Sequence, residues 1–325
     1  MALKGYLTQR LIFFTYSFII LLILNFLIPR LMPGNPVSRF VNPLMSPQAQ
    51  HQILEQFGLT EPLYIQFILY IKETFTGNFG TSFLYYPTPV GSLIEQRLPW
   101  TLLLTGTATV LSALVGMVLG LISAWRANSK IDNLFVFLSM ALRSIPTFWL
   151  GLVLLIFFGV TLRLFPTSGY FSTSFITYQG NVISFIGNVL YHSFLPLITL
   201  MAYLVGGNLL IMRASTISTL REDYVITLKA FGYDDRKILY EHVLKNAFLP
   251  MLTNIGIQMG YIVSGAVLVE AVFSYPGMGL LIYQAVLARD YPTLQGSFFI
   301  LTVSTLVALL IVDSLYALLD PRVRR

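Results

Sequence analysis

The sequence predicts an all-α, polytopic membrane protein with six transmembrane helices, and three observations carry that prediction. Of its 325 residues, 56% are hydrophobic and only 10% are charged, where a soluble domain carries about 25% charged residues. Six apolar runs, near 11–29, 100–124, 134–162, 194–212, 250–270 and 294–316, each approach or exceed the roughly 20 residues that span a bilayer core. The basic residues stand at the ends of these runs, as membrane anchors do, rather than in one patch. A formal net charge of +6 therefore does not point to nucleic acid.

The first run, Leu11 to Ile28 between Arg10 and Arg30, exceeds the usual signal-peptide core of about 7–15 residues, and no small-x-small cleavage site follows. It is expected to be a retained helix. The third run contains Arg143 and Pro146, so it is either a short interfacial helix followed by a span or one kinked helix. An even number of crossings puts both termini on one side. The shorter inside loops then hold most of the Lys and Arg residues if the N-terminus is cytoplasmic, which sets the expected orientation as N-in and C-in. The resulting organisation is a tail and first helix over 1–30, an extracellular segment over 31–97, a five-helix core over 98–317 with a cytoplasmic loop at 213–249, and a tail over 318–325. Proline at 33, 36, 43 and 47 punctuates the start of the extracellular segment, and its stretch from Glu61 to Phe75 has mixed helical character.

The loop 213–249 holds the most informative sequence. Asp223 to Ala230 reads as a short helix stopped by Gly232, a residue suited to a left-handed cap. Asp234 can cap a second helix, in which Ile238, Leu239, Val243, Leu244 and Phe248 recur at helical spacing, and Pro250 marks the start of the next span. Such a hairpin has an apolar face that the membrane need not bury. It suits docking into a groove on a soluble partner or lying on anionic headgroups.

Four polar side chains near the spans are candidates for a translocation path or gate. Asn208, Asn254 and Gln258 either bond across helices or face water. Glu270 either lines the outer end of a path or caps the turn from Ser274 to Gly279 by accepting backbone N–H groups. Asp313 reads as a structural pairing or an inner-headgroup residue. Gly116-x-x-x-Gly120 and Gly256-x-x-x-Gly260 are small-residue pairs that allow helices to approach closely. There is no cysteine, so thiolate metal sites and disulfides are excluded, and His51, His192 and His242 are scattered. No G-x-x-x-x-G-K-[ST] loop occurs, so ATP chemistry must come from another polypeptide.

Ala230, Gly232, Leu249 and Pro250, in this spacing, resemble the EAA loop of binding-protein-dependent ABC importer permeases. The name-giving tripeptide is Leu228-Lys229-Ala230 here, so only its final alanine matches. Further stretches resemble the dipeptide and oligopeptide branch of that family: Pro33-Gly34-Asn35-Pro36, Phe57-Gly58-Leu59, Gly77-Asn78-Phe79-Gly80-Thr81-Ser82, Arg97-Leu98-Pro99, Ile145 to Gly151, Val269 to Gly279, Arg289-Asp290-Tyr291-Pro292 and Asp320-Pro321-Arg322. The resemblance covers nearly the whole chain. It implies a type I ABC importer permease fold in a prokaryotic cell membrane, with the loop acting as coupling helix through Asp223, Lys229, Ala230, Phe231, Gly232, Tyr233, Asp234, Leu249 and Pro250. It further implies a second homologous permease, two cytoplasmic ABC ATPases that bind ATP and Mg, and an extracellular or lipid-anchored substrate-binding protein. No cofactor is expected on this chain. Di- or oligopeptides are the implied cargo. The same branch is reused for oligosaccharides, nickel chelates and opines. An ATP-independent secondary transporter is the alternative from another class, and it would need more buried ionisable residues than the sequence offers.

Overall fold

A computed structural model describes residues 3–32, 58–171, 182–262 and 266–319, with isolated positions between 46 and 55; for 3–10, 261 and 312–319 it describes the backbone alone. Pro33 to Pro36 and Asp320 to Arg322 lie outside the described residues, as does the side chain of Asp313. The helices are α1 (Leu3–Leu31), α2 (Leu63–Phe75), α3 (Val90–Trp125), α4 (Lys130–Ser144) and α5 (Thr147–Leu154), which continues into a π-helical stretch (Leu155–Thr161). They are followed by α6 (Val182–Leu220), α7 (Asp223–Ala230) and α8, which is built from Asp235–Lys237, a π-helical stretch Ile238–Val243 and Leu244–Tyr261. The chain then forms α9 (Val267–Val272), α10 (Met278–Ala288) and α11 (Tyr291–Leu319).

The polarity of this bundle is inverted relative to a water-soluble protein. Leu11, Ile12, Val110, Leu114, Ile183 and Ile186 are exposed, whereas Thr101, Thr109, Ser112, Thr199, Asn208 and Thr216 are buried to 4% or less. Exposed apolar surface of this extent needs a lipid solvent. Among the described residues, Leu11–Leu31, Val90–Trp125, Val182–Leu220 and Tyr291–Ile311 are each long and apolar enough to cross a membrane. A fifth crossing exists if α4 and α5 count as one. The expected run 250–270 does not reach that standard. Its helical part ends at Tyr261, carries Asn254 and Gln258, and is followed by residues 263–265 outside the described set.

The third expected span divides at Pro146, where α4 and the Thr147–Thr161 helix meet at 97°. The residue before a proline is pushed out of the helical region, and Ile145 is extended at φ −83° and ψ 127°. Pro250 sits inside α8, whose α-helical part begins at Leu244. Pro29, Pro99 and Pro196 also lie inside helices, as neighbouring helices in a membrane bundle permit.

α3 and α6 form the most extensive helix pair. They approach through Gly116 and Gly120, as the small-residue spacing predicts. A Cβ on Gly116 would stand 2.5 Å from Asn208 Cβ, and one on Gly120 would stand 2.7 Å from both Leu209 O and Met212 Cβ. Gly116→Val is therefore expected to destabilise by about 1–3 kcal/mol through overpacking. Gly106→Ala, with nothing within 4 Å of its Cβ position, should be neutral or slightly stabilising through helix propensity. Thermal melting of the purified protein in detergent separates the two outcomes.

α2 lies against α1 and α11 through rings: Phe26 and Phe67 are 5.1 Å apart, and Phe75 and Phe299 are 6.3 Å apart. Asn25 donates to the Tyr70 hydroxyl at 2.9 Å and to the Gln295 carbonyl at 3.0 Å, which makes α1 and α11 antiparallel neighbours. One end of the bundle is closed by the segments 77–101, 165–171 and 266–294. The other carries the α7–α8 hairpin.

Candidate functional site

The hairpin is rooted in the bundle core and blunt at its tip. Val225, Ile238, Leu239 and Val243 are each 5% exposed or less, and pack with Leu121, Met212, Ala247 and Met251. Its apolar face is thus spent on the chain's own α3 and α6, not left free as the periodicity suggested. The helical spacing marks burial but does not say against what. α7 stops in a Schellman motif: the Gly232 amide donates to Lys229 O at 3.0 Å and the Tyr233 amide to Leu228 O at 3.2 Å. Gly232 has φ +76°, the conformation that a residue with a Cβ rarely adopts. Asp234 then caps α8 as expected, accepting from the amides of Arg236 and Lys237 at 3.1 and 3.3 Å. Tyr224 ties the two arms together, with its hydroxyl donating to His242 O at 3.4 Å and accepting from Asn246 Nδ2 at 3.0 Å.

What remains outside is aromatic. Phe231 is 76% exposed and Tyr233 45%, beside the exposed Ile226 and Tyr240. Asp223, Lys229, Ala230, Gly232 and Asp234 are exposed around them. Tyr224, Thr227, Leu228, Phe231, Tyr233 and His242 line a shallow groove beneath the tip. Leu249 and Pro250 stand apart from it, one half-buried and one exposed on α8. A stiff, aromatic-tipped projection with an adjoining groove can transmit push and pull to α3 and α6 from a partner that grips it.

The four candidate path residues separate into two places. Asn208 is fully buried on α6. Its Oδ1 accepts from Asn254 Nδ2 at 2.9 Å and Gln258 Nε2 at 3.0 Å, and its Nδ2 donates to Ser112 Oγ at 3.3 Å. This network joins α3, α6 and α8, while Asn254 and Gln258 also border a cavity of about 350 Å³. Glu270 is fully buried at the opposite end from the hairpin. Its Oε1 accepts from Thr101 Oγ1 at 3.0 Å and its Oε2 from the Leu280 amide at 3.1 Å, and Thr101 Oγ1 accepts from the Met278 amide at 2.7 Å. The carboxylate therefore faces the first turn of α10, where orphan amides and the helix dipole favour a negative charge.

Two charged groups escaped the sequence reading. Asp132, fully buried, accepts from Arg213 Nε at 2.6 Å and Nη2 at 2.7 Å, from the Asn128 amide at 2.8 Å and from Ser123 Oγ. Its signal was isolation, since it is the only acidic residue between Glu95 and Glu222. Arg143, left unassigned by the sequence, borders the same cavity as Asn254 and Gln258. Among the described residues, no cluster of three or more His, Cys, Asp or Glu side chains could hold a metal ion.

A helical bundle that is apolar outside and polar within, bearing a hairpin at one end, has the character of a multi-pass membrane protein. Residues 116–325 match the family of binding-protein-dependent transport system inner membrane components, and the chain belongs to that family. It is 35% identical over 301 residues to the oligopeptide transport system permease protein AppB of Bacillus subtilis, covering 93% of each chain. It is 33% identical over 319 residues to the dipeptide transport system permease protein DppB of Lactococcus lactis, covering 98% of this chain and 99% of the relative. It is also 33% identical over 320 residues to the glutathione transport system permease protein GsiC of Salmonella paratyphi A, again covering 98% and 99%.

Proposed function

We propose that this chain is one of two permease subunits of an ATP-driven importer for short peptides, and that the α7–α8 hairpin is its coupling element. The carrying observation is the hairpin itself: buried at its root, stopped by Gly232 and exposing Phe231 at its tip. The names of the relatives, which refer to oligopeptides, dipeptides and glutathione, favour peptides over sugars or metal chelates as cargo. In this reading the hairpin end and both termini face the cytoplasm, α8 supplies a sixth crossing, and two ABC ATPases hold ATP and Mg. A sister permease completes the path, and a substrate-binding protein delivers the peptide from outside. ATP-driven closure of the ATPases pulls on Phe231 and Tyr233, and the motion passes through Val225, Ile238 and Val243 to α3 and α6.

Phe231→Glu tests this. An anchoring aromatic at a protein interface contributes about 2 kcal/mol or more. Peptide uptake by the reconstituted transporter should therefore fall at least about tenfold. ATP hydrolysis should cease to respond to loaded binding protein, while the melting temperature holds because the side chain is exposed. Unchanged uptake would remove the hairpin from the coupling route.

A further inference from the structure

We propose that Arg143 is a recognition point for the C-terminal carboxylate of the peptide in transit, an inference that rests on the importer reading above. Among the described residues, Arg143 is the only charged side chain lining the cavity of about 350 Å³ bordered by Thr105, Thr109, Tyr203, Asn254 and Gln258. No acidic residue among the described residues lines it, so a peptide's ammonium group meets no counter-charge from them while its carboxylate does.

Arg143 is exposed in the single chain and lies along α6. α6 offers two consecutive glycines to it: a Cβ on Gly207 would come within 3.0 Å of Arg143 Nη1, and one on Gly206 within 3.2 Å of Arg143 Cγ. The Tyr203 ring lies 5.8 Å from Cζ. Side chains at 206 and 207 would fill the groove in which the arginine rests.

Its donors are uncommitted. Arg213 is engaged by Asp132, and Arg30 donates to Gln66 Oε1 and Phe26 O. Arg143 has no hydrogen bond or ion pair among the described residues. An ionised side chain within a membrane span costs about 2.5–3.5 kcal/mol on insertion scales. Gly206 and Gly207 lie about 10 Å along α6 from Arg213, at a 1.5 Å rise per residue, on the same level as Asn208. A guanidinium fork at that depth, with no partner among the described residues, suits bidentate capture of a carboxylate.

The test compares a tripeptide with its C-terminal amide as cargo for the complete transporter in proteoliposomes, using one saturating preparation of its binding protein. Preference exerted by the binding protein is common to every variant, so it cancels when the ratio of the two initial uptake rates is compared between variant and parent. Arg143→Gln is expected to lower uptake of the free acid about tenfold while amide uptake stays within about twofold, with Arg143→Lys intermediate. Parallel loss for both peptides, with ATP hydrolysis still stimulated, would give Arg143 a structural role and overturn the proposal. So would equal retention of both. Failure of the unmodified transporter to carry either peptide, with intact ATP hydrolysis, would instead sink the peptide assignment, and the carboxylate proposal with it.

Discussion

Arg213→Ala is expected to destabilise the protein by about 3 kcal/mol, the low end of the range for breaking a buried ion pair. The Asp132 side chain is fully buried while a quarter of the Arg213 side chain remains exposed, so solvent offsets part of the loss. The penalty arises from the partner left behind. Asp132 keeps the Asn128 amide and Ser123 Oγ but loses both guanidinium donors. One carboxylate here joins the end of α3, the start of α4 and the hairpin end of α6, so its release loosens three helices together. Replacing both partners with apolar residues of similar volume should recover most of the stability, because no orphaned charge then remains. Melting curves of the two single variants and the double variant form the necessary cycle. A single-variant midpoint equal to that of the parent protein would contradict the buried pairing.

Glu270→Ala is expected to cost about 3 kcal/mol. Hydrogen bonds to a charged group contribute about 1.5–3 kcal/mol each, and Glu270 accepts two at a fully buried site, from Thr101 and Leu280. The backbone of the following turn packs closely around this carboxylate. A Cβ on Gly277 would collide with both Thr101 Oγ1 and Glu270 Oε2, and one on Gly279 would stand 2.7 Å from Val267 Cα. Glu270→Gln keeps the shape and an acceptor and should cost less than half as much. The first turn of α10 should become protease-sensitive in the alanine variant and stay protected in the glutamine variant. Transport per folded molecule separates this capping role from a place in the path: Glu270→Gln should carry cargo at the parent rate, and a tenfold deficit without loss of stability would return Glu270 to the path.

Much of the fold was legible because lipid imposes simple rules. Long apolar runs and their basic flanks marked the α1, α3, α6 and α11 spans, and Pro146 marked the bend. The hairpin was readable down to its caps, since Gly232 and Asp234 act through their own neighbours. Long-range partnership was not readable. The stretch Gly77 to Ser82 and the stretch Arg289 to Pro292 look unrelated in the chain. Yet Asp290 accepts from Ser82 Oγ at 2.5 Å and the Leu84 amide at 3.1 Å. Arg97 to Pro99 likewise precedes Thr101, the partner of Glu270, and a Cβ on Gly151 would stand 3.2 Å from the Phe273 ring. Nothing local in either segment encodes its mate. The same limit hid the Asp132–Arg213 pair, 81 residues apart in sequence, and the glycine seat of Arg143. The polar character of Asn254 and Gln258 was plain, but only their shared acceptor on Asn208 decides where their amide hydrogens go.

The backbone-to-backbone seam at Gly116 and Gly120 carries a mechanical consequence. Beyond the prolines inside them, Pro99 in α3 and Pro196 in α6, each helix runs on for about 36–39 Å at 1.5 Å per residue. Glycine contact of this closeness gives the two rods no cushion of flexible side chains along which to slide. Moving as one beam, these stretches would turn a tilt of about 10° about one tip into a sweep of about 6–7 Å at the other, by the same length. A small rotation driven at one membrane face can thus open a gap of molecular width at the other, with no helix bending in between.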